Sequence, residues 1–152
     1  MADAFSDLVL HFKTEWGDRC IVDEDRKTIM MLMFMEHQTF RIVCVLKLPI
    51  YEILIGSNLK IPQDKMAQAC ILANMINAEI PTTFVIDPVN RELDVTLSFC
   101  VTGSSVTFDT VKANLFTSVF CADKYYPAFE KLVSTDITPE EAIKSAEGGT
   151  KD

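Results

Sequence analysis

The residue types that most often carry out chemistry are few in this sequence and lie far apart. Its two histidines are His11 and His37, and neither has a cysteine or serine beside it together with an orienting third group, as an activated nucleophile requires. Pairing of a histidine with Cys44 or Cys100 in space stays open, so a thiol enzyme is the third and weakest hypothesis. We therefore predict no catalytic residue.

Metal and anion sites are equally poorly supported by spacing. Asp23-Glu24-Asp25 is the dense acidic cluster, but it lacks the glycine and the distant glutamate of a calcium loop, so we predict a hairpin turn. The segment 102–105 precedes a helix without the GK[ST] of a phosphate-binding loop. Asn74 and Asn77 lie three apart near a helix end and fit capping better than a ligand site. No metal or cofactor is predicted.

The five cysteines all lie inside apolar segments, and none forms a CxxC pair. They are Cys20, Cys44, Cys70, Cys100 and Cys121. Because five is an odd number, a complete disulfide framework within one chain is impossible. We predict buried, reduced, structural thiols of a cytoplasmic protein.

Size and composition fit one globular domain. The 152 residues are 49% hydrophobic, and the formal net charge of -8 argues against binding to nucleic acid or to an anionic membrane. No apolar run reaches the roughly 18 residues of a membrane span, and the acidic start is unlike a signal peptide. We predict one domain over 1–146 and a disordered tail over 147–152.

Hydrophobic periodicity and turn residues predict an α+β fold in the order α-β-β-β-β-α-β-β-α-α, with an antiparallel sheet and flanking helices. The predicted helices cover 3–16, 62–78 and 108–133, the last kinked near Pro127, and a capping box at 138–141 opens a short final helix. The predicted strands cover 20–22, 28–35, 39–47, 51–56, 82–87 and 91–101. The methionine-rich second strand is apolar on both faces, which predicts a central strand covered on both sides, with a groove that binds a partner as the alternative.

Three segments carry a family resemblance. They are the helix end LANMIN (Leu72 to Asn77), the hairpin TTFVIDPVNRELDVTLSF, and ADKYYPAFEKLV (Ala122 to Val133). In these the sequence resembles the YbjN family of bacterial proteins, labelled sensory transduction regulators. The resemblance implies a fold like that of type III secretion chaperones, with helices on a twisted antiparallel sheet, and a commonly dimeric protein. It implies no enzymatic activity and no catalytic residue.

Two predicted helices have apolar residues outside their core stripes. In the second helix the core stripe is Met66, Ala69, Cys70, Ala73 and Ile76. Ile71 and Met75 lie on the opposite, otherwise polar face, and Leu72 flanks them. In the long helix Phe116 and Phe120 lie mostly off the core stripe. A helix that is apolar on both faces must bury both, so these five residues form the candidate interface unless another element of the chain covers them.

The sequence therefore predicts a non-enzymatic, dimeric protein-interaction module, chaperone-like or regulatory. Its expected partners are a second copy, giving a homodimer, and a protein or peptide. The alternative is a small-molecule sensor domain with a pocket between the sheet and the helices.

Overall fold

Four α-helices and six β-strands make up the residues that the computed structural model describes, 3–100 and 107–148. The helices are α1 (Ala4–Trp16), α2 (Met66–Asn77), α3 (Phe108–Ser134) and α4 (Pro139–Glu147). The strands are β1 (Ile21–Asp23), β2 (Thr28–Phe34), β3 (Thr39–Lys47), β4 (Ile50–Lys60), β5 (Thr83–Ile86) and β6 (Glu92–Cys100). The predicted element order is confirmed.

The six strands form a single antiparallel sheet in the order β1-β2-β3-β4-β6-β5. Strands β1 to β4 are joined by short connections, residues 24–27, 35–38 and 48–49. Connections this short favour antiparallel neighbours. After α2 the chain returns through the β5–β6 hairpin, and β6 is inserted against β4. The predicted α+β class with an antiparallel sheet is therefore confirmed.

The helix ends follow the predicted stop and start residues. The Asp3 carboxylate caps α1 by accepting a hydrogen bond from the Phe5 N–H. Gly17, with φ of 60°, ends the same helix in a conformation that glycine adopts without strain. Thr138 and Glu141 form the predicted capping box of α4. The long helix α3 continues through Pro127 to Ser134.

One face of the sheet is covered by the helices. Ile42, Ile53 and Ile55 of β3 and β4 are fully buried on this face. Aromatic rings of α3 pack there against the sheet, with the ring of Phe84 stacked on that of Phe129 at 5.3 Å between centroids. Helix α4 packs behind, against α2 and α3. The core therefore lies between the sheet and one layer of helices.

The prediction that β2 is central and covered on both faces was wrong. This strand is second from the edge, and its residues alternate between a buried set with Ile29 and Met31 and a set with Leu32 and Phe34 that solvent reaches. The helices that the structure describes all lie on the other side of the sheet. Apolar residues on both faces of a strand show that burial of both faces is favourable. They do not show that elements of the same chain bury both.

The predicted boundary at the end of the domain also shifts slightly. Glu147 was assigned to the tail, yet it is the last residue of α4. The rest of the predicted tail beyond Gly148, like the segment 102–105 that was considered for anion binding, lies outside the described residues.

Candidate functional site

The face of the sheet that the helices leave uncovered, hereafter the open face, carries an apolar row across β1 to β4, with charged residues such as Arg41 and Glu52 beside it. Cross-strand pairing puts Ile21, Met30, Val43 and Leu54 in one continuous row. Side chains of directly paired residues point to the same side of an antiparallel sheet, so this row is one contiguous surface. It ends at Thr96 of β6, where the open face becomes polar.

The edge of the sheet beside this surface is only partly paired. Strand β1 pairs with residues 28–30 of β2, so residues 31–34 have no neighbouring strand on that side within the described part of the chain. The side chains of Leu32 and Phe34 there are 57% and 73% exposed. With Arg19 and Ile21 they help to line a groove of about 620 Å³. A free edge beside an apolar groove can accept an extended segment by strand addition.

The polar end of the open face holds a charged cluster centred on Gly56. A Cβ atom at Gly56 would lie 2.8 Å from Nη2 of Arg41, so glycine makes room for this guanidinium to cross the strand. Nη2 of Arg41 donates to Oε1 of Glu92 at 3.1 Å. Asp94 is paired with Gly56 in the sheet, and its Oδ1 atom is buried without a hydrogen-bond partner. Burial and then the nearby Glu92 charge raise the pKa of Asp94 to about 6.

The five residues of the predicted interface differ widely in how exposed they are. Leu72 is 0% exposed and belongs to the chain's own core, so it is not available to a partner and its assignment to the interface is corrected. Its neighbour Ile71 is 50% exposed, and Met75 is partly buried. The rings of Phe116 and Phe120 stack on each other at 6.1 Å on α3, and Phe120 is largely exposed.

The predicted core stripe of α2 was correct at Ala69, Ala73 and Ile76, but it included Cys70 and left out Leu72. The buried residues are Ala69, Leu72, Ala73 and Ile76, whereas Cys70, which was assigned to the core, is exposed. The helix is apolar around most of its circumference, so composition alone does not fix which stripe faces the sheet. Asn77 uses its side-chain amide to bond both backbone groups of Phe84, at 2.7 and 3.0 Å, and this ties the helix end to β5.

The prediction that all five cysteines are buried was only partly right. Cys20 and Cys44 are buried, Cys121 is intermediate, and Cys70 and Cys100 are exposed. All five are free thiols. Burial raises the pKa of Cys44 to about 12 and also raises the pKa of Cys20 and Cys121. A reactive thiol needs the opposite shift, so these three are poor nucleophiles.

The two histidines occupy different environments. His11 stacks on the ring of Phe108 at 5.0 Å, which is a packing role. His37 lies in the β2–β3 turn, where its backbone N–H donates to Oδ1 of Asp123 at 3.0 Å. Of the acidic residues 23–25, Glu24 and Asp25 lie in the predicted turn, whereas Asp23 is the last residue of β1 and accepts from the Arg26 N–H.

Sequence reasoning missed one cluster of potential ligand atoms. Glu36, His37 and Asp123 each place a carboxylate oxygen or an imidazole nitrogen within 4.8 Å of the others. The prediction of no metal site rested on spacing along the chain, and Asp123 is 86 residues from His37. The adjacent Glu-His pair in a predicted turn was the available signal, but nothing in the sequence pointed to its partner on α3.

Comparison with known proteins shows the class of fold. A chain of the crystal structure of the ExsC–ExsE complex superposes with a TM-score of 0.53 and 12% identity, over 78% of this chain and 88% of that one. This chain therefore shares the overall fold of that protein chain, an α+β fold with an antiparallel sheet as predicted. No family model and no curated protein matches the sequence.

Of the helices in the described residues, none is both long enough and apolar enough to cross a membrane.

Proposed function

We propose that this chain is a non-enzymatic protein-interaction module, chaperone-like or regulatory, that binds an extended apolar segment of a partner protein. The segment would add a strand at residues 31–34 of β2 and place alternate side chains in the groove lined by Leu32 and Phe34. The observation that carries this proposal is the free edge of β2 next to the apolar open face.

The chemistry of the groove suits a partner of this kind. Backbone hydrogen bonds to a strand edge supply affinity without depending on sequence, and side-chain pockets supply specificity. Met30 contributes a flexible, polarisable side chain to the groove, and such side chains adapt to varied apolar surfaces. Arg19 at the rim offers a cation to a carboxylate or backbone carbonyl of the incoming segment.

The test is to compare proteins captured from the native cell extract by three forms of the chain. The wild type and Val89→Glu should retain the same partners, because Val89 is 90% exposed in the β5–β6 turn, away from the groove. The double variant Leu32→Glu/Phe34→Glu should lose them, because two charged carboxylates would replace the apolar side chains that contact the segment, and binding would have to strip water from them. Quantitative mass spectrometry measures the loss.

The position of the bound segment can be measured directly on a purified complex. Hydrogen exchange at the amides of residues 31–34 should slow on binding if the partner adds a strand there. Equal capture by all three forms would contradict the proposed surface. Unchanged exchange at residues 31–34 in the complex would contradict strand addition.

The proposal includes a homodimer assembled through the α2 surface that contains Ile71 and Met75. Ile71 is half exposed on a helix whose other face is already in the core, and two-fold dimers are the commonest assembly. A stable dimer buries about 800 Å² per subunit, so polar neighbours such as Asn74 must contribute as well. The Phe116–Phe120 pair on α3 is the second candidate surface.

Light scattering at matched concentrations tests the dimer separately from partner binding. Ile71→Glu/Met75→Glu should convert a dimeric wild type into a monomer while leaving the captured partners unchanged. Leu10→Glu is the control, because Leu10 is also an exposed apolar residue, at 65%, but lies on α1. A wild type that is monomeric at tens of micromolar would contradict the dimer. If the Ile71→Glu/Met75→Glu variant remains dimeric, the dimer interface lies on another surface.

Membership of the YbjN family, a single domain that ends with α4 and a cytoplasmic location belong to the same proposal. The three resembling segments form the end of α2, the β5–β6 hairpin and the second half of α3, which pack together around Phe84 and Phe129. Five free thiols suit a reducing compartment.

The small-molecule sensor hypothesis is less well supported by the interior. In the described residues the space between the sheet and α3 holds ring contacts, including Phe40 edge-on to Tyr126 and Phe84 edge-on to Tyr125. Rings packed in this way fill the position where the predicted ligand pocket would lie. The protein-interaction hypothesis is therefore preferred.

A further inference from the structure

The β2–β3 turn and α3 bring three ligand-type side chains to one cavity. The N–H of His37 donates to Oδ1 of Asp123 at 3.0 Å, and this holds the turn on the helix. Glu36, His37 and Asp123 have ligand atoms within 4.8 Å of one another. They line a cavity of about 430 Å³ that also includes Lys124 and Ser145.

Asp123 is the fixed and unusual member of this cluster. It is 8% exposed, yet none of the ion pairs among the described residues includes it. The ammonium of Lys124, its neighbour in sequence, lies over the Tyr125 ring, 5.0 Å from the centroid. Aspartate is rarely this buried unless its charge is paired or coordinates a metal. A cation in the cavity would supply the missing positive charge.

We propose that this cluster is a binding site for one divalent transition-metal ion of the Zn²⁺ type. The ligands are an imidazole nitrogen of His37 and one carboxylate oxygen each from Glu36 and Asp123. Imidazole favours zinc and its neighbours over magnesium and calcium, which prefer all-oxygen sites. Three protein ligands leave a fourth position for water or for a side chain of a partner.

The required geometry is accessible from the observed one. Ligand atoms at 2.0–2.2 Å from a tetrahedral zinc ion are about 3.4 Å apart, and here they lie within 4.8 Å. Glu36 and His37 are exposed and can rotate toward the cavity, whereas Asp123 is held by its helix and by the His37 N–H. The bound ion would clamp the β2–β3 turn to α3. This site does not depend on the proposed partner surface.

Titration calorimetry with zinc chloride alone tests the site on the full chain. We expect one zinc ion per chain and a raised melting temperature, because the ion binds the folded state. Asp123→Asn keeps an oxygen acceptor for the His37 N–H but removes the charge, and His37→Ala removes the exposed imidazole. Each should weaken zinc binding at least about tenfold, since even second-shell changes cost that much. Circular dichroism checks that both variants are folded.

The exposed thiols need a matched control because cysteine also binds zinc. Cys70→Ser/Cys100→Ser should bind zinc as the wild type does, and its cobalt complex should lack a thiolate-to-metal charge-transfer band. The proposal is overturned by any of three results. They are absence of zinc binding at micromolar concentrations, unchanged affinity in both folded ligand variants, and loss of binding in the cysteine variant.

Discussion

The two faces of the sheet have similar amino acids but different surroundings. On β4, Ile53 points to the helices and is fully buried, whereas the next residue, Leu54, points to the open face and keeps part of its surface in solvent. On β3, Ile42 and Val43 differ in the same way. Apolar side chains on a strand therefore identify a surface that favours burial, but the structure decides whether the chain itself covers it.

The covered face should dominate stability. Ile53→Ala removes three buried carbon atoms where the surrounding side chains cannot fully close the gap. We expect a loss of about 2–5 kcal/mol in the free energy of unfolding, the largest effect predicted here. Urea unfolding followed by circular dichroism measures it. A loss below about 1 kcal/mol would mean that this face is less tightly packed than the structure shows.

The charged cluster at the polar end of the open face should have a smaller, pH-dependent effect on the free energy of unfolding. The pKa of Asp94 is raised to about 6 from 3.8, so folding favours its protonated form. The stability contributed by this group is therefore greatest below pH 3.8 and falls as the pH rises to about 6, above which the loss is constant. Asp94→Asn should raise the melting temperature most above pH 6, and the gain should shrink toward pH 4.

Melting curves of both proteins at several pH values measure this difference. Arg41 partly offsets the shift, because its positive charge lowers the pKa of Asp94. Arg41→Gln should therefore enlarge the gain that Asp94→Asn brings at neutral pH. If Asp94→Asn raised the melting temperature equally at pH 4 and pH 8, the ionised form of Asp94 would not be the destabilising one.

The apolar end of the open face should contribute little to the stability of the isolated chain. Leu32 is 57% exposed, so Leu32→Ser removes few contacts within the chain. We expect a change within about 0.5 kcal/mol by the same urea measurement. If Leu32→Ser instead costs as much as Ile53→Ala, the open face is already covered in the free protein.

The sequence predicted the elements more reliably than the surfaces. The turn residues 36–38 and the strand break at Pro49 predicted β3 over its whole observed range, and the capping box predicted the start of α4. The limits of periodicity appear in α2, where residues are apolar on nearly every side. The predicted core stripe included the exposed Cys70 and left out the buried Leu72. Packing against β5 and α4 selects the buried stripe, and this selection is not local.

The candidate sites were harder to predict because they depend on tertiary contacts. The free edge at residues 31–34 exists because β1 is only three residues long, and strand length depends on what pairs with it. The Glu36–His37–Asp123 cluster depends on where α3 crosses the β2–β3 turn. Neither property follows from local sequence, although the adjacent ligand-type residues in the turn could have marked half of the cluster.

The mildest test of the two faces uses their own cysteines and leaves stability unchanged. Cys44 is buried on the covered face, and its pKa is raised to about 12 by burial, whereas Cys100 is exposed at the end of β6. In a Cys70→Ser background, which removes the exposed thiol of α2, a thiol reagent should label Cys100 quickly. Cys44 should react only as fast as the protein opens, because its thiolate is both rare and inaccessible.

The dependence of this labelling on protein concentration then shows whether a second copy or the chain itself buries this end of the open face. If Cys100 reacts quickly at every concentration, this end of the open face is free in the isolated chain. Protection that grows with concentration would mean that a second copy covers it, and the dimer would then lie on the sheet rather than on α2. Protection that is independent of concentration would mean that part of the chain itself closes over this end of the face. Fast labelling of Cys44 would contradict the distinction between the faces altogether.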